Sequence, residues 1–587
     1  MSAGVRPEAS AEKDLGVKCP PESRPQDPGD VRPSTKLWIA TGIFLLVLGA
    51  YALTSPGRID MIDGEVRFDV AYNWLVTGRP VLGDKWIGPL MGVPGKDGSL
   101  YSYYGAPGSV FGMPLVRLGV YLSARDIRPS QFLFSMTSPI LGAAIAPILF
   151  LFYLQLGLTN RDAVLWTMVS SFATLLWPVS DSSFDNAQHG FFVLSALFFA
   201  HLSAKRKSWI CALLGGLLAG ILLLYQEYFL LIIPALALAT LDWQLTDAQS
   251  LSANQTGSVS RRVLFHIGRT FRELGNLVRS AYGQEGDARA SCLRFCLFLA
   301  AAGVGAGLSL VYNHLRFGAW LDDGKFRFVV LRHHPISGNP FVGLLTLLVS
   351  PGKGIFFYSP ALILGLVGFR QLWRRKTALA AAIAVSALIL LPFLSCFGFV
   401  GGDWCWGPRY LTPLLPLCAL AFPFVSLRGP KRSPVLILIT LGLFVQVLAL
   451  SVDHQRFFLA RGLDDFFWAE DPWFYFKHSA LIARPGEAIS LIQGVPSTAK
   501  VFNSIPIPNW ATYPPLGPPL NVPRSLAPLW IRNFQIFYLP RPWPLWMSSV
   551  SPAVRPVDVR TWGLGLLSMT LIGLFLVFRG FRVRGTT

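Results

Sequence analysis

Residues 209–241 read WICALLGGLLAGILLLYQEYFLLIIPALALATL, and the fold turns on whether this stretch is one helix or two. Its 33 residues are short for two membrane crossings, since each crossing takes about 20 apolar residues. The polar break Tyr225-Gln226-Glu227 suits a tight outer turn, because ionisable side chains are costly inside hydrocarbon. One long helix here would invert the orientation of everything downstream. With two spans, Lys205-Arg206-Lys207, the Arg-rich stretch from Arg261 to Arg294, Arg374-Arg375-Lys376, Arg428 with Lys431-Arg432, and Arg579, Arg582 and Arg584 all fall on one side. Lys and Arg collect on the cytoplasmic side of membrane proteins, so both chain ends are expected there.

Composition agrees with a bilayer as solvent. The chain has 587 residues, of which 52% are hydrophobic and 14% charged, against about 25% charged in soluble proteins. Apolar runs lie at about 37–53, 131–154, 163–179, 186–203, 209–225, 227–241, 294–312, 355–371, 378–397, 410–427, 434–451 and 561–578. The expected fold class is therefore an all-α polytopic membrane protein with about twelve transmembrane helices. The net charge of +19 is read as topological, with the lipid bilayer rather than nucleic acid as partner. Seven cysteines show no metal-ligand clustering, and Cys292 and Cys296 stand as CxxxC. Cys396 and Cys405 are either bridged in an oxidising compartment or simply buried.

The expected organisation is a disordered cytoplasmic tail over 1–36, a transmembrane core with outer loops over 37–451, an extracytoplasmic segment over 452–560, and a last helix with a basic cytoplasmic tail over 561–587. No cleavable signal peptide is evident at the start. In the long outer segment, 14 prolines lie between Pro496 and Pro556, interleaved with Trp510, Trp530, Trp543 and Trp546. That pattern predicts irregular structure resting on the membrane interface, without a β-sheet domain.

The first outer loop carries Asp60-Met61-Ile62-Asp63-Gly64-Glu65-Val66-Arg67-Phe68-Asp69. Phe68, Ala71, Tyr72 and Leu75 share one helical face, which predicts an amphipathic helix over 65–78 lying along the membrane, with Asp63 and Glu65 at its start. Two accounts fit those carboxylates. A helix N-terminus favours acidic residues through capping and the macrodipole, and a carboxylate at the mouth of a membrane cavity can also take a proton from an acceptor hydroxyl.

The chain then resembles bacterial GT-C-fold glycosyltransferases that use polyprenyl-phosphate sugars, relatives of the protein O-mannosyltransferases and the lipopolysaccharide sugar transferases. The resemblance runs from about 37 to 427. It rests on the acidic motif, Leu75-Val76-Thr77-Gly78-Arg79-Pro80, the stretch Gly98 to Gly108 (GSLYSYYGAPG), Asn313 to Gly318 (NHLRFG), Ser350 to Gly354 (SPGKG) and Gly401 to Leu411 (GGDWCWGPRYL). It implies an inverting sugar transfer with the first-loop acid as general base. The family's doublet is Asp-Glu, whereas this chain has Asp-Gly-Glu. Asp63 holds the doublet's first position and is favoured, with Glu65 as the alternative, while Asp60 and Asp69 read as surface charges. The implied partners are a polyprenyl-phosphate sugar donor and an extracytoplasmic acceptor (glycolipid, polysaccharide or protein), at a bacterial inner membrane with the site facing outward. No cofactor is firmly implied, and a divalent metal is left open.

The second outer turn holds Asp181, Asp185, Asn186 and His189, where the family often adds a polar group. Asp185 and His189 are i and i+4 and share a helix face; a capping Asp with a solvated His is the alternative. A departing polyprenyl phosphate gains negative charge, so Arg316, Lys353 and Arg409 are the candidate cations. Arg409, with Tyr410 beside it, is favoured, because Gly407-Pro408 would set it at the start of a span where helix amides also face an anion. Interfacial snorkelling is the competing account for each cation. Trp404 and Trp406 either stack on a sugar ring or belong to the aromatic belt. A multi-span transporter or lipid flippase is the rival reading, but transporters concentrate ionisable groups near the midplane. Here those groups sit at the outer ends of spans.

Overall fold

A computed structural model describes residues 33–55, 59–83, 91–122, 127–241, 286–327, 336–402, 405–425, 432–451, 473–492 and 559–582. The chain is helical nearly throughout these residues, with one two-stranded antiparallel hairpin, Val93–Pro94 against Leu100–Tyr101, in the first long loop. Seven helices among them are long and apolar enough to cross a membrane: Ser34–Thr54, Pro129–Gln155, Asn186–Arg206, Ala288–Phe317, Thr377–Ser395, Arg432–Ser451 and Leu564–Phe581.

The 209–241 stretch breaks where its polar residues stand. The Trp209–Tyr225 helix stops at Gln226, which is extended at φ −151° and ψ 130°. The second half is not one helix but a 3₁₀ turn (Glu227–Leu231), a single α-turn (Ile233–Ala237) and another 3₁₀ turn (Leu238–Thr240). Three further expected spans are interrupted in the same way. Residues 163–179 divide into Asn160–Phe172 and Leu176–Ser180, and 355–371 into Ile355–Tyr358 and Leu362–Arg375. Residues 410–427 run through Arg409–Leu414, Leu415–Ala419 and Phe422–Phe424. Twelve uninterrupted spans therefore do not form. Pro178, Pro234, Pro360, Pro413, Pro416 and Pro423 stand in these stretches, and proline removes a helical donor and clashes with the preceding turn.

Interrupted backbone at membrane depth is tolerated only where protein covers it. At the three further breaks a freed backbone group is taken up by a side chain from elsewhere, whereas Glu227 and Leu230 at the first stand exposed. Tyr153 Oη donates to the Ala419 carbonyl at 2.9 Å, Gln446 Nε2 to the Tyr358 carbonyl at 2.8 Å, and the Leu175 N–H to Ser359 Oγ at 2.7 Å.

Three expectations about boundaries change. The first helix begins at Pro33, so residues 33–36 leave the expected tail; proline suits a first helical position. The first-loop helix runs Ile62–Thr77, starting earlier than 65; it is buried all round over residues 63–68, with Leu75 of the expected apolar face exposed, and it closes on Gly78 in the left-handed region at φ 75°. Of the 452–560 segment 473–492 and 559–560 are described, and the first of these stretches does more than rest on an interface. Helices Phe474–Lys477 and Ala480–Ile492 insert Tyr475 and Arg484 as fully buried side chains. Cys396 and Cys405 are not bridged.

Close backbone approach sets the Trp209–Tyr225 helix against Gly286–Phe317. A Cβ on Gly305 would overlap the Gly220 backbone, whereas one on Gly303 meets nothing within 4 Å. Overpacking a close contact costs about 1–3 kcal/mol. Gly305→Leu is therefore expected to lower the thermal midpoint of the detergent-solubilised protein, and Gly303→Leu to leave it unchanged. Equal midpoints for the two variants would contradict this packing.

Candidate active site

The first helix ends at Thr54 and is pinned there by Trp177, whose Nε1 donates to Thr54 Oγ1 at 3.0 Å. That contact brings residues 59–65 against the turn at 181–185. Asp60 closes the join: it accepts from the Ser183 N–H at 2.7 Å and from Ser182 Oγ at 2.9 Å, and also from the Ser183 hydroxyl. Asp60 is 1% exposed, so it is a buried clasp, not a surface charge. Gly64 is required by the same contact, because a Cβ there would lie 2.6 Å from Ser183 Oγ. The glycine that splits the acidic doublet thus gives the second turn its room.

Asp63 stands in the first turn of the Ile62–Thr77 helix but does not cap it. The cap position is Met61, with no side-chain cap bond. The Asp63 carboxylate instead accepts from Tyr104 Oη at 2.6 Å and faces Arg409 Nη1 at 3.3 Å. Asp185 behaves alike. It occupies the cap position of the Asn186–Arg206 helix without making the cap bond. Its carboxylate pairs with Arg67 Nη2 at 2.6 Å and lies 3.4 Å from His189 Nε2. The Arg67 guanidinium lies over the Tyr104 ring at 4.2 Å, and that of Arg409 over Phe184 at 3.6 Å. Two carboxylates, two guanidiniums, a phenol and an imidazole therefore form one buried cluster.

Its electrostatics follow from burial and pairing. Burial would raise the Asp185 carboxyl, but Arg67, His189 and Arg409 outweigh it and hold Asp185 well below the usual carboxylate range. Burial likewise opposes the charge on Arg67, and Asp185 and Asp63 overcome it. Burial and the neighbouring Asp63 push the Tyr104 phenol well above its ordinary value, so Tyr104 remains a neutral donor to Asp63.

Arg67 and Tyr104 were not singled out from sequence. Arg67 stands in the first-loop acidic stretch without an assigned role, although its i+4 spacing from Asp63 is a usable signal. Tyr104 lay within the GSLYSYYGAPG stretch without an assigned role. Glu65, two residues from Asp63, is buried, with Gln131 Nε2 at 3.5 Å. Asp69 is not a plain surface charge: burial pushes it up to about 6, while the Gly83 N–H and Asn73 restrain the rise.

The other candidates take supporting positions. Arg316 donates to the Ser102 carbonyl, to the Tyr104 carbonyl at 3.2 Å and to Asn313 Oδ1 at 2.8 Å, which fixes the loop that delivers Tyr104. Lys353 is fully buried, and its Nζ donates to the Cys405 carbonyl at 2.7 Å and the Gly407 carbonyl at 3.3 Å. It fastens the turn before Arg409, where Gly407 takes φ 66°, a value side chains rarely adopt. Arg409 opens the 3₁₀ turn Arg409–Leu414 rather than a regular span, so the expected helix-amide assistance is missing. Trp406 is buried edge-on against Tyr358 at 4.9 Å, with Arg484 over its ring at 5.0 Å, and presents no open face for a sugar. Tyr410 is half-buried, its ring 5.1 Å from the Arg409 guanidinium. Trp404 lies outside the described residues. Among the described residues no group of three His, Cys, Asp or Glu is arranged to hold a metal ion.

No family model and no curated protein sequence matches the chain. Among solved structures it is similar to the oligosaccharyltransferase of Archaeoglobus fulgidus in its apo form, at 12% identity and a TM-score of 0.38, covering 74% of this chain and 59% of that one. It is similar also to that enzyme in complex with Zn and sulfate, at 13% identity and a TM-score of 0.37, covering 81% and 57%. The chain spans less than two thirds of that enzyme's length. Likeness at these TM-scores fixes neither fold family nor activity.

Removing one partner of a buried ion pair leaves the other charge uncompensated, at roughly 3–5 kcal/mol. Asp185→Asn is expected to destabilise the protein on that scale, and Arg67→Gln added to it to cost less than the sum of the two single changes. A depressed carboxyl contributes stability above its unfolded value and loses it as pH falls through its folded value. The difference between wild type and Asp185→Asn should therefore stay constant over about pH 5 to 8 and shrink only in stronger acid. Thermal unfolding in detergent measures both; additive single changes would deny the pairing.

Proposed function

We propose that this protein is a membrane glycosyltransferase that moves a sugar from a polyprenyl-phosphate donor to an acceptor on the non-cytoplasmic side, with inversion at the anomeric carbon. The observation that carries the reading is the buried Asp63, held between the neutral phenol of Tyr104 and the guanidinium of Arg409. It sits at the ends of three membrane-crossing helices, after Thr54, before Asn186 and beyond Ser395. A transporter would need its ionisable cluster near the midplane. Lys205, Arg206, Arg374 and Arg375 stand at the opposite helix ends, which supports an outward-facing site in a cell membrane.

In this mechanism Asp63 accepts the proton of the acceptor hydroxyl. The freed oxygen attacks the anomeric carbon, and the bond from that carbon to the phosphate oxygen breaks. Its electron pair leaves on the polyprenyl phosphate, whose growing charge Arg409 neutralises. Arg67 and Asp185 satisfy each other and keep Tyr104 and Phe184 against the two reacting groups. Glu65 is the alternative base, Arg316 and Lys353 position the loops, and His189 supports Asp185.

Initial rates against polyprenyl-phosphate-sugar concentration in nanodiscs test the assignment. Asp63→Asn is expected to lose about 100- to 10,000-fold in turnover, with Glu65→Gln much milder. Arg409→Lys should retain part of the activity and Arg409→Ala almost none, since Lys keeps the charge but loses the planar fork. A dead Glu65→Gln beside an active Asp63→Asn would move the base. Normal turnover in both would remove the mechanism.

A further inference from the structure

A second cluster lies at the far ends of the same helices. Lys205 is 20 positions from Asp185 along its helix, roughly 30 Å away at 1.5 Å per residue. The charges acting most strongly on it are all positive: Lys376 from the junction of two helices, Arg206, and Lys36 from the first turn of the chain's first helix. Lys205 Nζ also donates to the Gln155 carbonyl at 3.2 Å, so a fourth helix end joins the group. Cations from separate segments repel one another, and holding them together without an anion is unfavourable.

Beneath them lies His201, 9% exposed and stacked on Phe152 at 5.4 Å. Lys376 and Lys205 are the charges that act on its ring. Its Nε2 is buried and has no hydrogen-bond partner among the described residues. Buried polar atoms are nearly always partnered, and an imidazole N–H suits a phosphate oxygen. Exposed Leu37, Trp38, Trp209 and Ile210 flank the cluster, as tryptophans do at the level of lipid headgroups. We propose that Lys36, His201, Lys205, Arg206 and Lys376 form a binding site for the phosphate headgroup of an anionic phospholipid in the leaflet opposite Asp63. Basic pockets between membrane helices bind such headgroups, and the apolar flank favours a lipid over free phosphate.

Native mass spectrometry of the full chain in mild detergent tests this with dioctanoyl phosphatidylglycerol, dioctanoyl phosphatidylcholine and inorganic phosphate. Saturable binding of phosphatidylglycerol alone is expected. It should weaken about 10-fold or more in Lys205→Ala/Lys376→Ala, persist in Lys205→Arg/Lys376→Arg, and be unaffected by Arg161→Ala, an exposed cation at the start of another helix. His201→Phe keeps a ring against Phe152 and removes Nε2, so it should weaken binding several-fold without lowering the thermal midpoint. Equal binding of both lipids, equal loss with Arg161→Ala, or inorganic phosphate competing away the lipid would overturn the proposal.

Discussion

Asp63, Arg67, Asp185 and Arg409 come from three distant parts of the chain, and each is nine-tenths buried or close to it. Removing an ion from water costs several kcal/mol even after relaxation, so none of the four is tolerable unless the others arrive. Arg67 must meet Asp185 across 118 residues, and Asp63 must meet Arg409 across 346. The rest of the outer end is arranged to make those meetings possible. Asp60 clasps the 182–183 turn, Lys353 fastens the 405–407 turn, and Arg316 holds the loop that carries Tyr104. One side chain read in sequence as a surface charge and two read as candidate phosphate cations thus hold backbone in place.

Much of the architecture was legible because hydropathy and charge are read directly by the bilayer. The polar break at Gln226 ended the helix, and the basic clusters at Lys205 to Lys207 and Arg374 to Lys376 stand at the ends opposite the acidic ones. What could not be read was continuity. Residues 227–241 and 410–425 are strongly apolar, yet they fold as chains of short turns. Hydropathy reports that a segment is buried, not that it is one helix. The partners that make interruption tolerable, such as Tyr153 for Ala419 and Gln446 for Tyr358, lie far away in sequence.

The candidate site divides along the same line. Asp63, Asp185, His189 and Arg409 were visible as charges at the ends of apolar runs, and the structure brings them together. Arg316 and Lys353 were visible for the same reason, but their donors are directed at main-chain carbonyls, which sequence cannot locate. Trp406 could not be told from a sugar-stacking ring until Tyr358 and Arg484 were seen against it. Gly64 gains a physical reason: the split acidic doublet is the form that lets Ser183 close on the helix start.

In the proposed mechanism one carboxylate takes the acceptor's proton while one guanidinium receives the leaving phosphate; that is a single displacement, and a single displacement inverts the anomeric centre. Nuclear magnetic resonance of the transferred sugar, formed from a polyprenyl-phosphate donor of known configuration, reads that centre directly. The account predicts the opposite anomer in the product. Retention would require a covalent sugar–enzyme intermediate, and with it a different role for Asp63.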